Sequence, residues 1–324
     1  MLRKAIGLTG AAGLALTLGA AIQPAQAVQT SQSAPAKAVV PTTASGVSGA
    51  AAACVLAVGS FNAQWGQNKQ IVTATAPPTV GPPLSTSNIY QSPFSIGVTP
   101  TTFNETPMTG ARMARVGKIV MGGYLYDSSA IVRSDGSLVR GSNVLKRYGG
   151  GWGNLRFLVQ ARYKATSASK PSRTTLYAQD ASGRFGRWTD LGTGFRNTGY
   201  VGGLSTMKAF TLIATTPTYD MFLVNNRAGG LYTLKIPTTS PLRPVATPVR
   251  TSSWQSFEKM IAAPCGTGSV VLAIDRDNGG YWLYTVGHAN GTKTAIKGLG
   301  RSTLSWGDFD HFRFAPAYDP LNGG

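Results

Sequence analysis

Four times along this 324-residue chain an arginine stands four or five positions before an aromatic residue: Arg147 before Trp152, Arg196 before Tyr200, Arg250 before Trp254 and Arg301 before Trp306. Indole and phenol faces stack on the apolar C–H face of a sugar ring, and a guanidinium fork donates paired hydrogen bonds to hydroxyls, carboxylates or phosphates. If the four stretches hold equivalent places in a repeat, they predict a ring of similar ligand sites. The same pairs also have a structural reading, in which the aromatic fills the core and the arginine lies over a ring or caps a strand end.

Residues for covalent chemistry are sparse. His288 lies in the loop-like Gly287-His-Ala-Asn-Gly, and His311 in an apolar strand. Asp308 and Asp310 are near His311, but alternation along a strand puts both on the opposite face from it. No Gly-x-Ser-x-Gly and no His-Glu-x-x-His is present. The 12 acidic residues are scattered, with local pairs only at 275/277 and 308/310, so glycoside hydrolysis would need carboxylates gathered from distant strands. Asp275-Arg-Asp277-Asn-Gly approaches a calcium loop but lacks the distal carboxylate, and it reads as a turn. No metal and no cofactor is expected. Cys54 and Cys265 are far apart and fit a disulfide in an oxidising compartment, or else two buried thiols.

The elements that must carry these residues repeat. Apolar runs followed by a glycine turn occur at Gly136, Gly183, Gly230 and Gly280, spaced 47, 47 and 50 residues, and glycine supplies the positive φ of tight hairpins. A further apolar strand follows at Leu155-Arg-Phe-Leu-Val, Ala209-Phe-Thr-Leu-Ile, Phe257-Glu-Lys-Met-Ile and Phe309-Asp-His-Phe-Arg-Phe. About four short strands every 40 to 50 residues predict an all-β five-bladed β-propeller with four-stranded blades. The chain stops after His311-Phe-Arg-Phe-Ala-Pro, whereas Cys54-Val-Leu-Ala-Val-Gly-Ser-Phe-Asn resembles the part then missing. The N- and C-termini are therefore expected to complete one shared blade, which removes exposed sheet edges, with a Cys54–Cys265 bond at the seam. Residues 76–110, rich in Pro and Thr, are expected to form an extended loop. A two-domain β-sandwich would leave the turn spacing without an explanation.

The layout of apolar strand, Gly turn, Leu-Tyr and Trp-x-x-Phe resembles the tachylectin-like and FG-GAP (VCBS)-like secreted β-propellers. The matching stretches are Gly230-Leu231-Tyr232, Trp254-Gln-Ser-Phe257 and Gly280-Tyr-Trp-Leu-Tyr284, with Trp152 and Trp306 opening similar strands. The tachylectin side of the resemblance implies sugar binding between or within blades. The FG-GAP side implies Asp-rich calcium loops, which this chain lacks beyond the partial one above.

Met-Leu-Arg-Lys, an apolar stretch from Ala5 to Ile22 and Ala25-Gln-Ala27 predict a secretory signal peptide over 1–27, against the alternative of a membrane anchor. Residues 28–49, made of Ala, Ser, Thr and Pro, read as a flexible leader, and 50–320 as the propeller domain. Export without Arg3 and Lys4 leaves 28 basic against 12 acidic residues, a net charge of +16. Dispersed positive charge of that size attracts polyanions over a salt-dependent range. The expectation is a secreted, monomeric, non-catalytic protein that binds carbohydrate or an acidic extracellular polymer. A structural or protein-interaction propeller and a secreted polysaccharide hydrolase stand as alternatives. No nucleic-acid motif is visible, and no nucleic-acid partner and no stable membrane insertion are expected.

Overall fold

The computed structural model describes residues 53–90, 99–165, 172–304, 310–318 and 320–324. The signal peptide and leader, and Trp306 and Asp308, lie outside the described residues. All the described residues belong to the compact unit Ala50–Gly324. They form strands and turns, with no helix among them.

Strands β1 (Val55–Asn62), β2 (Gly66–Thr73), β3 (Thr79–Val80), β4 (Leu84–Thr86), β5 (Thr99–Pro100), β6 (Phe103–Met108), β7 (Arg112–Met121), β8 (Tyr124–Arg133) and β9 (Val144–Gly149) belong to one sheet. Three four-stranded antiparallel sheets follow in chain order. They are β10 (Leu155–Tyr163), β11 (Arg173–Asp180), β12 (Phe185–Asp190) and β13 (Phe195–Val201); then β14 (Met207–Thr215), β15 (Tyr219–Asn226), β16 (Leu231–Pro237) and β17 (Val245–Arg250); then β18 (Lys259–Cys265), β19 (Gly268–Asp275), β20 (Gly280–Val286) and β21 (Ile296–Ser302). The last strand, β22 (His311–Pro316), returns to the first sheet. It pairs antiparallel with β1 (Ala57 opposite Phe314) and parallel with β6 (Phe314 opposite Phe103). The C-terminal strand and the N-terminal hairpin thus share one ladder.

A single period runs through the fold. Strands β6, β10, β14, β18 and β22 begin at Phe103, Leu155, Met207, Lys259 and His311, each 52 residues after the one before. This corrects the glycine spacing. Gly183 and Gly230 sit between the second and third strands of their sheets and Gly280 opens its third strand, whereas Gly136 follows the third strand β8, and its counterpart is the Gly122-Gly123 turn. The third strand β8 alternates apolar residues and is followed by an Asp135-Gly136 turn, so it mimics a second strand. The 76–110 stretch carries β3, β4, β5 and β6, and β6 falls on the period.

Turn chemistry explains the hairpins. Four second strands (β1, β11, β15 and β19) end in Asx residues whose side-chain oxygens accept backbone N–H groups of the turn: Asn62 from Gly66 (2.9 Å), Asp180 from Arg184 (3.0 Å), Asn226 from Gly230 (2.8 Å) and Asp275 from Asp277 (3.1 Å). Such oxygens replace a turn's missing backbone acceptor. The middle strands are nearly all apolar because both faces are covered. On β19, Val270, Leu272 and Ile274 enter the cluster shared with Leu56, Val58 and Val72 of β1–β2. Val271 and Ala273 enter the cluster shared with Ala209, Leu223 and Trp254. A third cluster joins Tyr177 and Phe185 to Phe210 and Phe222 of the next sheet. A fourth brings Phe61 and Phe312 onto Phe103 and Ile119, and a fifth joins Val120 and Leu125 to Leu158 and Leu176. Side-chain bonds reinforce these junctions: buried Asp220 of β15 takes both guanidinium NH groups of Arg173 at 2.6 Å and the Tyr177 hydroxyl at 2.8 Å.

Cys54 and Cys265 are disulfide-bonded, with Cα atoms 5.4 Å apart across 211 residues of sequence. The bond ties the entry of β1 to the end of β18, beside the first of the junctions above.

Candidate functional site

An open cavity of about 410 Å³ lies at the margin of the β10–β13 sheet, where the fifth cluster joins it to β7 and β8. Three aromatic side chains from different segments meet in it. Trp152 follows Gly150-Gly151 in the β9–β10 loop, and its backbone N–H donates to the Gly123 carbonyl (3.0 Å), tying the loop to the β7–β8 turn. Trp188 stands on β12, opposite Asn197 of β13. Tyr200 stands on β13, opposite Gly186. The Trp152 and Trp188 rings lie 4.9 Å apart at 43°, and Trp188 meets Tyr200 edge-on at 5.5 Å. Trp152 and Trp188 are half-buried, while Tyr200 is 49% exposed.

Glycine makes the arrangement possible. A Cβ on Gly186 would stand 2.4 Å from the Trp188 ring and 2.8 Å from the Tyr200 ring, so both rings fold across the bare backbone. The same spacing recurs on the third strands of the next two sheets, where Gly230 underlies Tyr232 and Gly280 underlies Trp282.

The polar side of the cavity comes from the β11–β12 turn. Arg184 lies 4.6 Å from the Tyr200 ring centre and donates from Nε to Asp180 at 3.1 Å. The Ser182 hydroxyl and N–H groups of Ser182 and Arg184 also donate to Asp180. The Ser182 hydroxyl first, and then these backbone donors, hold its carboxyl below the usual range against the opposing effect of burial, so it is ionised at neutral pH. Asn154 adds an exposed amide. Asp180 is the sole carboxylate among the described lining residues. Aromatic faces beside a few fixed polar groups suit a sugar ring. Hydrolysis needs a second carboxyl across the scissile bond.

The eight residues expected from sequence part company. Trp152 and Tyr200 converge here. Arg196 is exposed on β13, opposite Thr189, and Arg147 is exposed on β9, its guanidinium 5.0 Å from the Tyr124 ring instead of beside Trp152. Trp254 is 6% exposed and packs in the core at 4.9 Å from Tyr284 and 5.5 Å from Phe257. Arg250 donates to the Thr294 (2.8 Å) and Thr292 (3.3 Å) carbonyls, clamping the β20–β21 loop. As placed, that pair offers no open face to a ligand, because burial and backbone carbonyls already satisfy it. Arg301 stands opposite Trp282 on the neighbouring strand, a cross-strand pair on one face. Trp306 is outside the described residues. Sequence reasoning missed Trp188 and Arg184. The signal for Trp188 was its place two residues after a glycine, shared with Tyr232 and Trp282.

Elsewhere, the carboxylates of Glu258, Asp275 and Asp277 come within 4.8 Å of one another. Glu258 pairs with Lys208 and accepts the Arg276 N–H, while Asp275 accepts from Asp277 and Asn278 within the turn. His311 is buried, and its Nε2 lies 3.3 Å from the Tyr281 hydroxyl.

No protein-family model matches the chain, and no curated protein matches it. Among the solved structures that resemble the chain are three that do so faintly. A triple arginine-to-alanine mutant of AofleA from Arthrobotrys oligospora is 8% identical, covering 81% of this chain and 76% of its own, with a TM-score of 0.43. The fucose-specific lectin from Aleuria aurantia is 10% identical, covering 76% and 78%, with a TM-score of 0.40. The α-L-arabinofuranosidase PaAbf62A from Podospora anserina, in complex with cellotriose, is 10% identical, covering 66% and 72%, with a TM-score of 0.40. Likenesses this weak carry no weight for function.

Proposed function

We propose that the chain is an exported five-bladed β-propeller that binds carbohydrate without turning it over, in the cavity rimmed by Trp152, Trp188 and Tyr200. The five-fold reading is supported by the 52-residue period, by the β1–β22 ladder, and by five apolar clusters that each join two successive four-strand groups and lead back to the first. Export is supported by the signal-like N-terminus and the disulfide. No helix among the described residues is long and apolar enough to cross a membrane.

The observation that carries the binding function is the convergence of three aromatic rings with the Arg184–Asp180 pair around an open space holding one carboxylate. Stacking on Trp188 and Tyr200 supplies the apolar contact, while Arg184, Asp180 and Asn154 orient hydroxyls. With a net charge of +16 after export, acidic sugars or wall polymers are favoured over neutral ones by long-range attraction. A glycan array tests this. Trp188→Ala and Arg184→Ala are each expected to weaken the best ligand at least about tenfold, the loss of one good stacking or hydrogen-bonding partner. Silence of the folded protein across neutral and acidic glycans favours the protein-interaction alternative. Release of reducing sugar that vanishes in Asp180→Asn favours the hydrolase. Binding that collapses with salt and ignores both variants reduces recognition to bulk charge.

A further inference from the structure

The residues Pro320-Leu-Asn-Gly-Gly324 follow β22, a strand of the first sheet, yet they lie against the third and fourth sheets. Strand β14 is at the edge of the third sheet, so the backbone groups on its side away from β15 have no partner within that sheet. The segment supplies one. The Gly323 N–H donates to the Ile213 carbonyl (2.9 Å), the Thr215 N–H donates to the Leu321 carbonyl (3.3 Å), and Asn322 stands antiparallel to Ala214. From the β20–β21 loop, the Ala289 N–H donates to the Gly323 carbonyl (2.9 Å), and His288 Nδ1 lies 3.2 Å from the Asn322 carbonyl. The Tyr219 hydroxyl donates to the Gly324 carbonyl (3.1 Å).

Side chains decide which sequence fits. Leu321 is 7% exposed and joins the apolar cluster of Phe210, Leu212 and Phe222. With Ala317 it also forms part of the wall of a cavity of about 90 Å³ lined by β6, β10, β14, β18 and β22. Gly323 has no room for a side chain: a Cβ would stand 2.7 Å from Ser269 Oγ and 3.1 Å from the Ile213 carbonyl oxygen. A Cβ on Gly324 would stand 2.6 Å from Met221 Sδ and 3.0 Å from the Ala214 Cβ. Asn322 is exposed and is held through its backbone. We infer that the slot between the β14 edge and the β20–β21 loop is a binding site for an extended Leu-x-Gly-Gly peptide segment, filled here by residues 321–324. The mode is strand addition, in which main-chain hydrogen bonds hold the segment while one apolar pocket and two bare glycines select it. The filled slot straps β22 to the third and fourth sheets. Because the segment is tethered, it meets the slot at an effective concentration on the order of millimolar, without any new contact. The slot is separate from the aromatic cavity and does not depend on the carbohydrate reading.

Amide hydrogen exchange of the whole chain reads the slot directly. The amides of Thr215, Ala289 and Gly323 are expected to exchange slowly, and Gly323→Ala to speed the first two at least about tenfold. Asn322→Ala, which keeps the backbone contacts, and Gly194→Ala, whose Cβ meets nothing within 4 Å, should leave them unchanged. Acetyl-Pro-Leu-Asn-Gly-Gly added at a concentration on the order of millimolar to the Gly323→Ala protein should restore slow exchange of Ala289. Acetyl-Pro-Leu-Asn-Ala-Gly should not. Fast exchange of Ala289 in the unaltered protein overturns the inference, as does equal acceleration in Asn322→Ala and Gly323→Ala. So does an Ala289 amide that stays fast with both peptides, which would reduce the contact to packing. Should Gly323→Ala fail to fold, Leu321→Ala with the same two peptides decides. Trp188→Ala should lose glycan binding with Ala289 still slow, which separates the fates of the two sites.

Discussion

Removing the seam bond, by Cys54→Ala with Cys265→Ala, perturbs the fold where its two ends meet. The bond closes a separation of 211 residues. On the chain-entropy account, a loop of that length restrains the unfolded chain by about 18 cal/mol/K, or about 5 kcal/mol at 25 °C. The native state gives up little in return. Leu56, Val58 and Val72 stay packed on Ile261, Val270 and Leu272, and Ala57, Val58, Gly59 and Ser60 stay paired with β22. The variant is therefore expected to fold, with its stability in urea lower by several kcal/mol and a melting temperature lower by roughly 10–20 °C. Wild-type protein in reductant should give the same curve, because the half-exposed sulfurs contribute little packing. Hydrogen exchange should rise first in the β1–β2 hairpin. A loss below about 1 kcal/mol would refute the reasoning: it would mean that the two segments are already held together in the unfolded ensemble, or that they are not apposed in the native one.

Gly186→Ala should weaken the preferred glycan about tenfold while leaving the fold intact, because the new Cβ displaces the Trp188 and Tyr200 rings and no backbone. Unchanged affinity on the array would remove those rings from the site. Asp220→Ala leaves the Arg173 guanidinium and the Tyr177 hydroxyl facing a hole, and should cost about 3–5 kcal/mol by urea denaturation, the usual penalty for breaking a buried pair. A change under 1 kcal/mol would show that water replaces the carboxylate. Burial, helped by the charges of Lys259 and Arg276 and opposed by Asp310, pushes His311 down to about 4. Between about pH 6.5 and 4 the unfolded imidazole then binds a proton that the folded one does not, so stability should fall by about 3 kcal/mol as pH drops through that window. In phosphate-free buffer, His311→Gln should flatten this part of the stability profile, and a slope that persists would assign it to other groups.

Much of the scaffold is legible from local rules. The Asx residues Asn62, Asp180, Asn226 and Asp275 mark second-strand ends because a turn needs their side-chain acceptors nearby. The shared ladder of β22 and β1 follows from an incomplete last repeat and an orphan first hairpin. The register of the first full repeat was misjudged because β8 and β11 are both apolar strands ending in glycine turns, and nothing local tells a third strand from a second.

Strand content, the presence of a repeat, the hairpin turns at Gly183, Gly230 and Gly280 and the compatibility of the two cysteines with a bond were determined by the sequence, since each depends on residues a few positions apart or on the repeat itself, whereas the 52-residue period emerged only from the strand positions. Which aromatic would be open and which enclosed was decided only by the tertiary structure. Trp152 and Trp254 have similar surroundings in sequence, yet Trp254 is enclosed by Phe257 and Tyr284 of its own junction, while Trp152 lies half-buried beside Trp188 at the margin of another. The physical reason is that the middle strands are covered on both faces, so polarity no longer marks inside from outside. The same holds for Arg162, Lys259 and Arg313, which lie on three strands tens of residues apart and share an environment only because those strands line one cavity.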